Sequence, residues 1–310
     1  MKTILKWVGI VLLLVVVIVV VIAFVMKGKY TKMADATYEV SIPNITVSSD
    51  SLSLVRGESL TNSLCTGCHG GDLAGKSFID DATLGKIHAP NITPGGVCNT
   101  YSDDDYIRAI RYGVRPDGTG LLLMPNVVFN SISDEDLGAM VAYLKTVPES
   151  DNASLGRELK FPAQMMIGAG MFGDAFYASK LDLTDVSVKT APMPSTGVDY
   201  GEYTAVIHGC QYCHGEQLNG KFAGDPAAPP ASNITMGGNF GNWTYEQFAE
   251  TLWTGTTPEG KSMNPEHMPW DAFRLMSDLE KQAVYNYLQS MPAMPDAEVV
   301  VKYKEKMASS

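Results

Sequence analysis

The most informative residues in the 310-residue sequence form two copies of one short motif, Cys-x-x-Cys-His. Cysteine pairs at this spacing can form a disulfide, half of a zinc site or a redox-active dithiol. None of these explains a histidine at the same place in both copies, whereas covalent attachment of c-type haem does. The motifs therefore predict four thioether cysteines and two proximal iron ligands, namely Cys65, Cys68, Cys210 and Cys213 with His69 and His214.

The two motifs begin a longer repeat, which predicts two domains of similar structure. Each motif is followed by an Asn-Ile-Thr string, a helix that starts at a hydroxyl N-cap and ends at a glycine (Gly113 or Gly255), a Met-Pro pair and a last amphipathic helix that starts at serine. These matched places are Asn91 and Asn233, Ser102 and Thr244, Met124 and Met268, and Ser133 and Ser277. We expect an all-α fold with three main helices per domain, in which haem supplies part of the core.

Each iron needs a sixth ligand or an open face, and this choice decides what the site can do. A methionine sulfur closes the site and raises the reduction potential relative to a second histidine. Met124 and Met268 are the candidates because they occupy the same place in the repeat. Met263 and His267 remain alternatives in the second domain, and methionine beside proline is also an ordinary core residue.

Other polar residues could serve the same cofactor. Asn91 and Asn233 are candidate donors to the haem propionates, because they recur at matched places. Cys98 is the odd cysteine and has Phe240 at the equivalent place. We interpret it either as a buried inert thiol or as a residue that forms an intermolecular disulfide.

The N-terminal sequence predicts a membrane anchor. Lys2 and Lys6 precede an apolar run from Val8 to Val25, which is just long enough to cross a bilayer core of about 30 Å. A cleaved signal peptide is the alternative, but the end of the run lacks a small-x-small cleavage site. The predicted segments are 1–7 cytoplasmic, 8–26 transmembrane, 27–50 a tether, 51–148 domain 1, 149–196 a packed connector, 197–293 domain 2, and 294–310 a mobile tail.

Charge narrows the range of partners. The chain has 23 basic and 34 acidic residues, and four of the basic residues lie in the acid-free stretch 1–29. The remainder carries 19 basic and 34 acidic residues, which is about −15 before any propionate is counted. Nucleic acid is therefore not expected as a partner, and the acidic surface either faces a basic redox partner or only maintains solubility.

With these motifs in place, the chain resembles the class I cytochrome c family, in particular its membrane-anchored dihaem members from bacterial respiratory chains. The resemblance covers about 51–148 and 197–293. It implies small helical bundles whose first and last helices cross beside the haem, with His69 and Met124 on one iron and His214 and Met268 on the other. It also implies a single-pass protein of the bacterial inner membrane, with both haem c domains on the periplasmic or outer side.

The resemblance implies an electron-transfer protein rather than an enzyme. We expect it to carry electrons from a quinol-oxidising complex or a dehydrogenase to a terminal oxidase or to a soluble cytochrome or cupredoxin, as a fixed subunit or as a shuttle. A dihaem peroxidase with one open iron and a redox-sensing subunit are the alternatives. Carbon monoxide binding, turnover with peroxide, and partner binding without electron transfer discriminate among these three hypotheses.

Overall fold

The computed structural model describes residues 2–153, 156–222, 228–265 and 267–308. Met1 of the predicted cytoplasmic segment, residues 154–155 of the connector and residues 309–310 of the tail lie outside these ranges. The described chain is mostly helical, as the sequence predicts, and also contains one small three-stranded sheet that the sequence analysis does not predict.

Helix α1, Lys2–Ala34, begins the chain and extends into the predicted tether, which is therefore wrong in its first part. It contains a stretch long and apolar enough to cross a membrane. The helix continues for nine residues beyond the apolar run. In this continuation Tyr30 and Ala34 are buried in a cluster with Ile167 and Phe176. The residues that follow are packed too, since Ile42 and Ile45 contact the core of domain 1. Residues 27–50 are therefore not a loose tether but part of the folded domain.

Domain 1 is a bundle of short helices in which the first and last elements pack together. A π-helical turn, Arg108–Tyr112, continues its third helix. The helices are α2 Ser51–Leu64, α3 Thr66–His69, α4 Asp103–Ile107, α5 Asn126–Phe129 and α6 Asp134–Leu144.

The connector packs along domain 1 and completes its sheet. Strands β1 Lys76–Asp81 and β2 Gly85–Ala89 form an antiparallel hairpin, and β3 Glu158–Leu159 from the connector adds to β2. Helix α7, Phe161–Gly168, then packs against α1, and a 3₁₀ turn at Tyr177–Lys180 follows. Strands β2 and β3 pair residues that lie about 70 positions apart in the chain, and no local pattern in the sequence shows this pairing.

Domain 2 repeats the plan of domain 1. Its helices are α8 Val198–Ile207, α9 Cys210–His214, α10 Tyr245–Thr254, α11 Trp270–Phe273 and α12 Asp278–Ser290. The predicted mobile tail is wrong, because Glu298–Ala308 forms a further helix, α13. Val300 of α13 is buried against Gly220, and Lys304 forms an ion pair with Asp296.

The predicted helix ends are confirmed by the hydrogen bonds at their caps. Ser102 and Thr244 each accept from the backbone three residues on and complete a capping box. Gly113 and Gly255 end these helices in the left-handed conformation, with φ of 70° in both cases. Ser277 forms a full capping box with Glu280, whereas Asp136 in the matching place turns away from Ser133 and binds Arg56.

Glycines let the first and last helices of each domain cross at very short distance. A Cβ at Gly57 of α2 would lie 2.0 Å from the carbonyl oxygen of Ala139 on α6. At Gly201 of α8 the same atom would lie 2.0 Å from the carbonyl oxygen of Ala283 on α12. The two crossings are equivalent, and only glycine leaves room for the backbones to meet in this way.

A largely buried ion-pair network joins the two domains. Arg56 of domain 1 binds Asp136 through two nitrogens and reaches Glu280 of domain 2, each at 2.8 Å. The Tyr203 hydroxyl of domain 2 donates to the same Asp136 carboxylate at 2.7 Å. Burial alone would raise the pKa of Glu280, but His208, Arg56 and hydrogen bonds from Ser277 together lower it. The network therefore holds the two domains in one fixed arrangement.

Candidate haem-binding sites

The two Cys-x-x-Cys-His motifs form matching helical turns. In domain 1 the backbone N–H of His69 donates to Cys65 at 2.9 Å, so both cysteines lie on one turn beside the histidine. All five thiols are free, and burial raises the pKa of Cys65 and Cys210 to about 12. Protonated, buried thiols are poor redox dithiols. Within the described residues no group of three or more His, Cys, Asp and Glu side chains lies where it could hold a metal ion.

Each motif histidine is oriented by one backbone carbonyl. Nδ1 of His69 donates to the carbonyl oxygen of Pro90 at 2.9 Å, and Nδ1 of His214 donates to that of Ser232 at 2.7 Å. Burial lowers the pKa of both imidazoles, which keeps them neutral. A neutral imidazole that donates through Nδ1 has its lone pair on Nε2, the state required of a metal ligand.

The Asn-Ile-Thr strings position these carbonyls, a role that the sequence analysis misses. Asn91 is fully buried and follows Pro90 directly. Its amide nitrogen donates to Ser150 and Asn152, and its Oδ1 accepts from the backbone and hydroxyl of Thr93. Asn233 binds Met294, Asp296 and Thr235 in the same way. The structure therefore gives both asparagines a loop-closing role, and their predicted bond to propionates stays a prediction.

The Met-Pro pairs adopt the same tight turn in both domains. Pro125 has φ −80° and ψ 59°, and Pro269 has φ −76° and ψ 56°. The carbonyl oxygens of Met124 and Met268 accept from the backbone two residues on, at 2.8 and 2.7 Å. This is an inverse γ-turn, and it fixes the direction in which each methionine leaves the backbone. Met124 lies against the apolar cluster that contains Cys65, and Met268 against the cluster that contacts Cys210.

The rival ligands in domain 2 occupy different places. Met263 donates its backbone N–H to the carbonyl of Gly255, as Leu121 does to Gly113 in domain 1, so it corresponds to Leu121 rather than to Met124. His267 is exposed, whereas Met268 is half-buried. Both observations favour Met268, and the assignment of all four axial ligands stays a prediction.

Two arginines, Arg115 of domain 1 and Arg157 of the connector, place positive charges near each other, which the sequence analysis does not predict. Nη1 of Arg157 is buried and has no hydrogen-bond partner among the described residues. Burial lowers the pKa of Arg115, and the charge of Arg157 lowers it further. Two guanidinium groups near each other repel unless an anion lies between them. Arg157 lies in the connector, so no repeat pattern marks it.

Cys98 is buried and free, and burial raises its pKa to about 12. The structure therefore favours an inert thiol over an intermolecular disulfide at this position.

The two sites lie next to each other across the domain interface. A Cβ at Gly67, inside the first motif, would lie 3.2 Å from the Cβ of Ala272 in α11, which follows Met268. A Cβ at Gly209, just before the second motif, would lie 3.4 Å from a methyl group of Val128 in α5, which follows Met124. Each attachment motif therefore contacts the methionine segment of the other domain.

These residues fit haem. Each domain has one donor set, made of paired thiols on one turn, a neutral imidazole held through Nδ1 and a methionine on a fixed turn. Nη1 of Arg157 in the connector, which has no hydrogen-bond partner among the described residues, suits a carboxylate. The fold and the sites define a class of tandem, mostly helical domains whose paired motifs suit covalent haem attachment.

Comparison with known proteins agrees with this class. Residues 53–144 match the family model of cbb3-type cytochrome c oxidase subunit III. The chain is 27% identical over 264 residues to the fructose dehydrogenase cytochrome subunit of Gluconobacter japonicus, which covers 75% of this chain and 51% of that protein. It is 28% identical over 287 residues to the cytochrome c subunit of alcohol dehydrogenase (quinone) of Gluconobacter oxydans, covering 80% and 56%.

A shorter match, 32% identical over 118 residues, covers 36% of this chain and 27% of the gluconate 2-dehydrogenase cytochrome c subunit of Pantoea cypripedii. The chain spans about half the length of the first two relatives. These matches support a cytochrome c domain within residues 53–144, and such a domain implies covalently bound haem c.

Proposed function

We propose that this chain is a dihaem electron-transfer subunit of a membrane-bound dehydrogenase complex. It accepts electrons from a catalytic subunit of the dehydrogenase type and passes them to the respiratory chain. The single observation that supports this most strongly is the presence of two equivalent donor sets, each of whose motifs lies against the methionine segment of the other domain. The relatives, which are cytochrome subunits of dehydrogenases, indicate the kind of partner.

Each donor set holds one haem in this proposal. Cys65, Cys68 and His69 bind the first together with Met124, and Cys210, Cys213 and His214 bind the second together with Met268. Haem supplies reversible one-electron chemistry when it is bound. The residues of the chain hold the ligands in place and exclude water, through Pro90 and Ser232 on the histidines and the proline turns on the methionines.

Arg115 and Arg157 receive the propionates of the first haem. Their charges are near each other and partly buried, and a carboxylate between them relieves the repulsion. The second domain has Thr257 at the place of Arg115, because Thr257 and Arg115 make the same backbone bond, to Lys261 and Thr119. The two haems therefore lie in different electrostatic surroundings, which favours different reduction potentials.

Helix α1 anchors the protein as a single-pass segment of the bacterial inner membrane, and both haem domains lie on the periplasmic side. The support is its length and apolar sequence and its continuation into domain 1. Confinement to the membrane raises the effective concentration of the subunit at other membrane complexes.

Haem and iron content tests the cofactor stoichiometry. Protein produced in a host that matures c-type cytochromes is expected to contain two covalent haems per chain. Replacing Cys65 and Cys68 by serine should leave one, and so should replacing Cys210 and Cys213. Cys98→Ser is the matched control and should retain both. A single haem in the unaltered protein would contradict the dihaem proposal.

Isolation in mild detergent tests the partner. A dehydrogenase catalytic subunit should co-purify, and addition of its substrate should reduce the haems of this chain. Reduction should be lost when the catalytic subunit is removed by high salt. Isolation of the chain alone, or turnover with peroxide by one open iron, would contradict the assignment to a dehydrogenase complex.

A further inference from the structure

Helix α7 carries an apolar surface that domain 1 does not use. From Phe161 to Gly173 the chain contains no charged residue. Ala163 and Ile167 on one side of α7 are buried in the fold. On the other side Phe161 is 40% exposed, and Met171 and Phe172 in the following loop are 56% and 39% exposed. An uncharged helix with large apolar groups on its outer side is unusual for a surface in contact with water.

This surface continues the apolar flank of α1. A Cβ at Gly168 would lie 1.8 Å from the carbonyl oxygen of Met26, so α7 packs directly on the backbone of α1. The rings of Phe161 and Phe24 are 5.3 Å apart, and Phe24 is 62% exposed. The two helices therefore present one continuous apolar surface.

The position of this contact along α1 gives its height relative to a bilayer. The apolar run of α1 ends at Val25 and is followed by Lys27 and Lys29. At 1.5 Å per residue, a run of about 18 residues covers about 27 Å, close to the thickness of the hydrocarbon core. Phe24 therefore lies where hydrocarbon meets headgroups, and Phe161 lies beside it at the same level.

We propose that α7 and the Met171–Phe172 loop rest in the interfacial layer of the lipid bilayer, as a second membrane contact beside α1. Lipid is the occupant that continuity with the flank of α1 indicates, since both surfaces meet at one level. The proposal rests on the assignment of α1 as a membrane anchor. It places domain 1 down on the membrane, with the face that carries α7 turned towards the lipid.

Spin labels on the full haem-loaded protein in nanodiscs of phosphatidylethanolamine and phosphatidylglycerol test the proposal. The label sites are Met171→Cys for the loop, Val16→Cys for the middle of α1, and Met193→Cys as an exposed methionine in the second half of the connector. The unaltered protein controls for labelling of the buried Cys98. Each label is tested for access to oxygen, which concentrates in lipid, and to a water-soluble nickel chelate.

The labels at Val16 and Met171 are expected to favour oxygen over the chelate, with an access ratio several-fold higher than that at Met193. A lipid-exposed label at Val16 with a water-exposed label at Met171 overturns the α7 contact and leaves the anchor intact. A water-exposed label at Val16 overturns the anchor and the contact with it. A label at Met171 that neither reagent reaches shows that protein covers α7 and also overturns the proposal.

Discussion

Domains 1 and 2 share their internal framework and differ in what surrounds it. The helix crossings at Gly57 and Gly201, the histidine–carbonyl bonds and the Met-Pro turns are equivalent in both domains. Domain 1 is also covered by the sheet, α7 and the end of α1. Domain 2 has α13 and leaves Trp253 58% exposed. The features shared by both domains are those that the proposed haem attachment needs. The sheet, α7, the end of α1 and α13 distinguish the surroundings of the two domains.

Replacement of either proposed axial methionine is expected to change the haem itself the most. Met124→Ala or Met268→Ala should lower the reduction potential of the affected haem by about 100 mV, within the roughly 0.8 V that axial ligands control. It should also open that iron to carbon monoxide, because the sixth position loses its sulfur. Spectroelectrochemistry and carbon monoxide difference spectra measure both effects.

Met263→Ala and His267→Ala are the matched controls for domain 2, and neither should open the iron. Carbon monoxide binding in either of these variants, with none in Met268→Ala, would show that the equivalence of the two domains fails at the sixth ligand.

The glycine crossings should respond alike if the frameworks are equivalent. Gly57→Ala and Gly201→Ala each place a methyl group against a backbone carbonyl, so each should lower the free energy of unfolding by about 3 kcal/mol. Gly71→Ala is the control, because a Cβ at Gly71 meets no atom within 4 Å. Urea unfolding followed by far-ultraviolet circular dichroism measures the change. Strongly unequal losses of unfolding free energy in the two glycine variants would show that the helix crossings of the two domains are not equivalent.

Arg56 tests what holds the two domains together. Arg56→Met leaves the carboxylates of Asp136 and Glu280 buried without their cation, and should lower the free energy of unfolding by about 3 kcal/mol. Lys145→Met removes an exposed ion pair with Asp103 and should cost no more than about 1 kcal/mol. Equal small losses in both variants would mean that the domains associate through apolar packing alone.

Arg115 of domain 1 and Arg157 of the connector give the smallest expected effect and the sharpest contrast between the two haem sites. Arg115→Gln or Arg157→Gln removes a positive charge that favours the reduced, less positive iron, and should lower the potential of the first haem by tens of millivolts, on the order of 1 kcal/mol. Thr257→Gln, at the place of Arg115 in domain 2, should leave the second haem unchanged. A redox titration that resolves the two haems measures these potentials. If the arginine variants shifted the potential of the second haem instead, the arginines would not be partners of the first haem.

The sequence predicts the parts of the molecule that rest on local chemistry. Cysteine spacing, hydroxyl N-caps and glycine C-caps need only neighbouring residues, so the caps at Ser102, Thr244, Gly113 and Gly255 appear where predicted. Comparison of the two repeats identifies Met124 and Met268 as candidate ligands, and the structure places each on an equivalent turn.

The misses concern contacts between distant segments. Arg157 approaches Arg115 from the connector, and β3 pairs with β2 across about 70 residues. One feature of the sequence indicates that the helix continues into the predicted tether. Tyr30 and Ala34 lie four residues apart, on one face of a helix, but the polar residues around them obscure this spacing. Among the described residues of the predicted tail only Val300 is buried, which is too little for a periodic signal.

The continuity of α1 has a mechanical consequence. With the proposed membrane anchor, a flexible linker would let the haem sites lie at many heights above the lipid. A helix of 33 residues whose end packs against the connector would instead set one height. A partner that exchanges electrons with the proposed subunit would then have to present its own redox centre at that height.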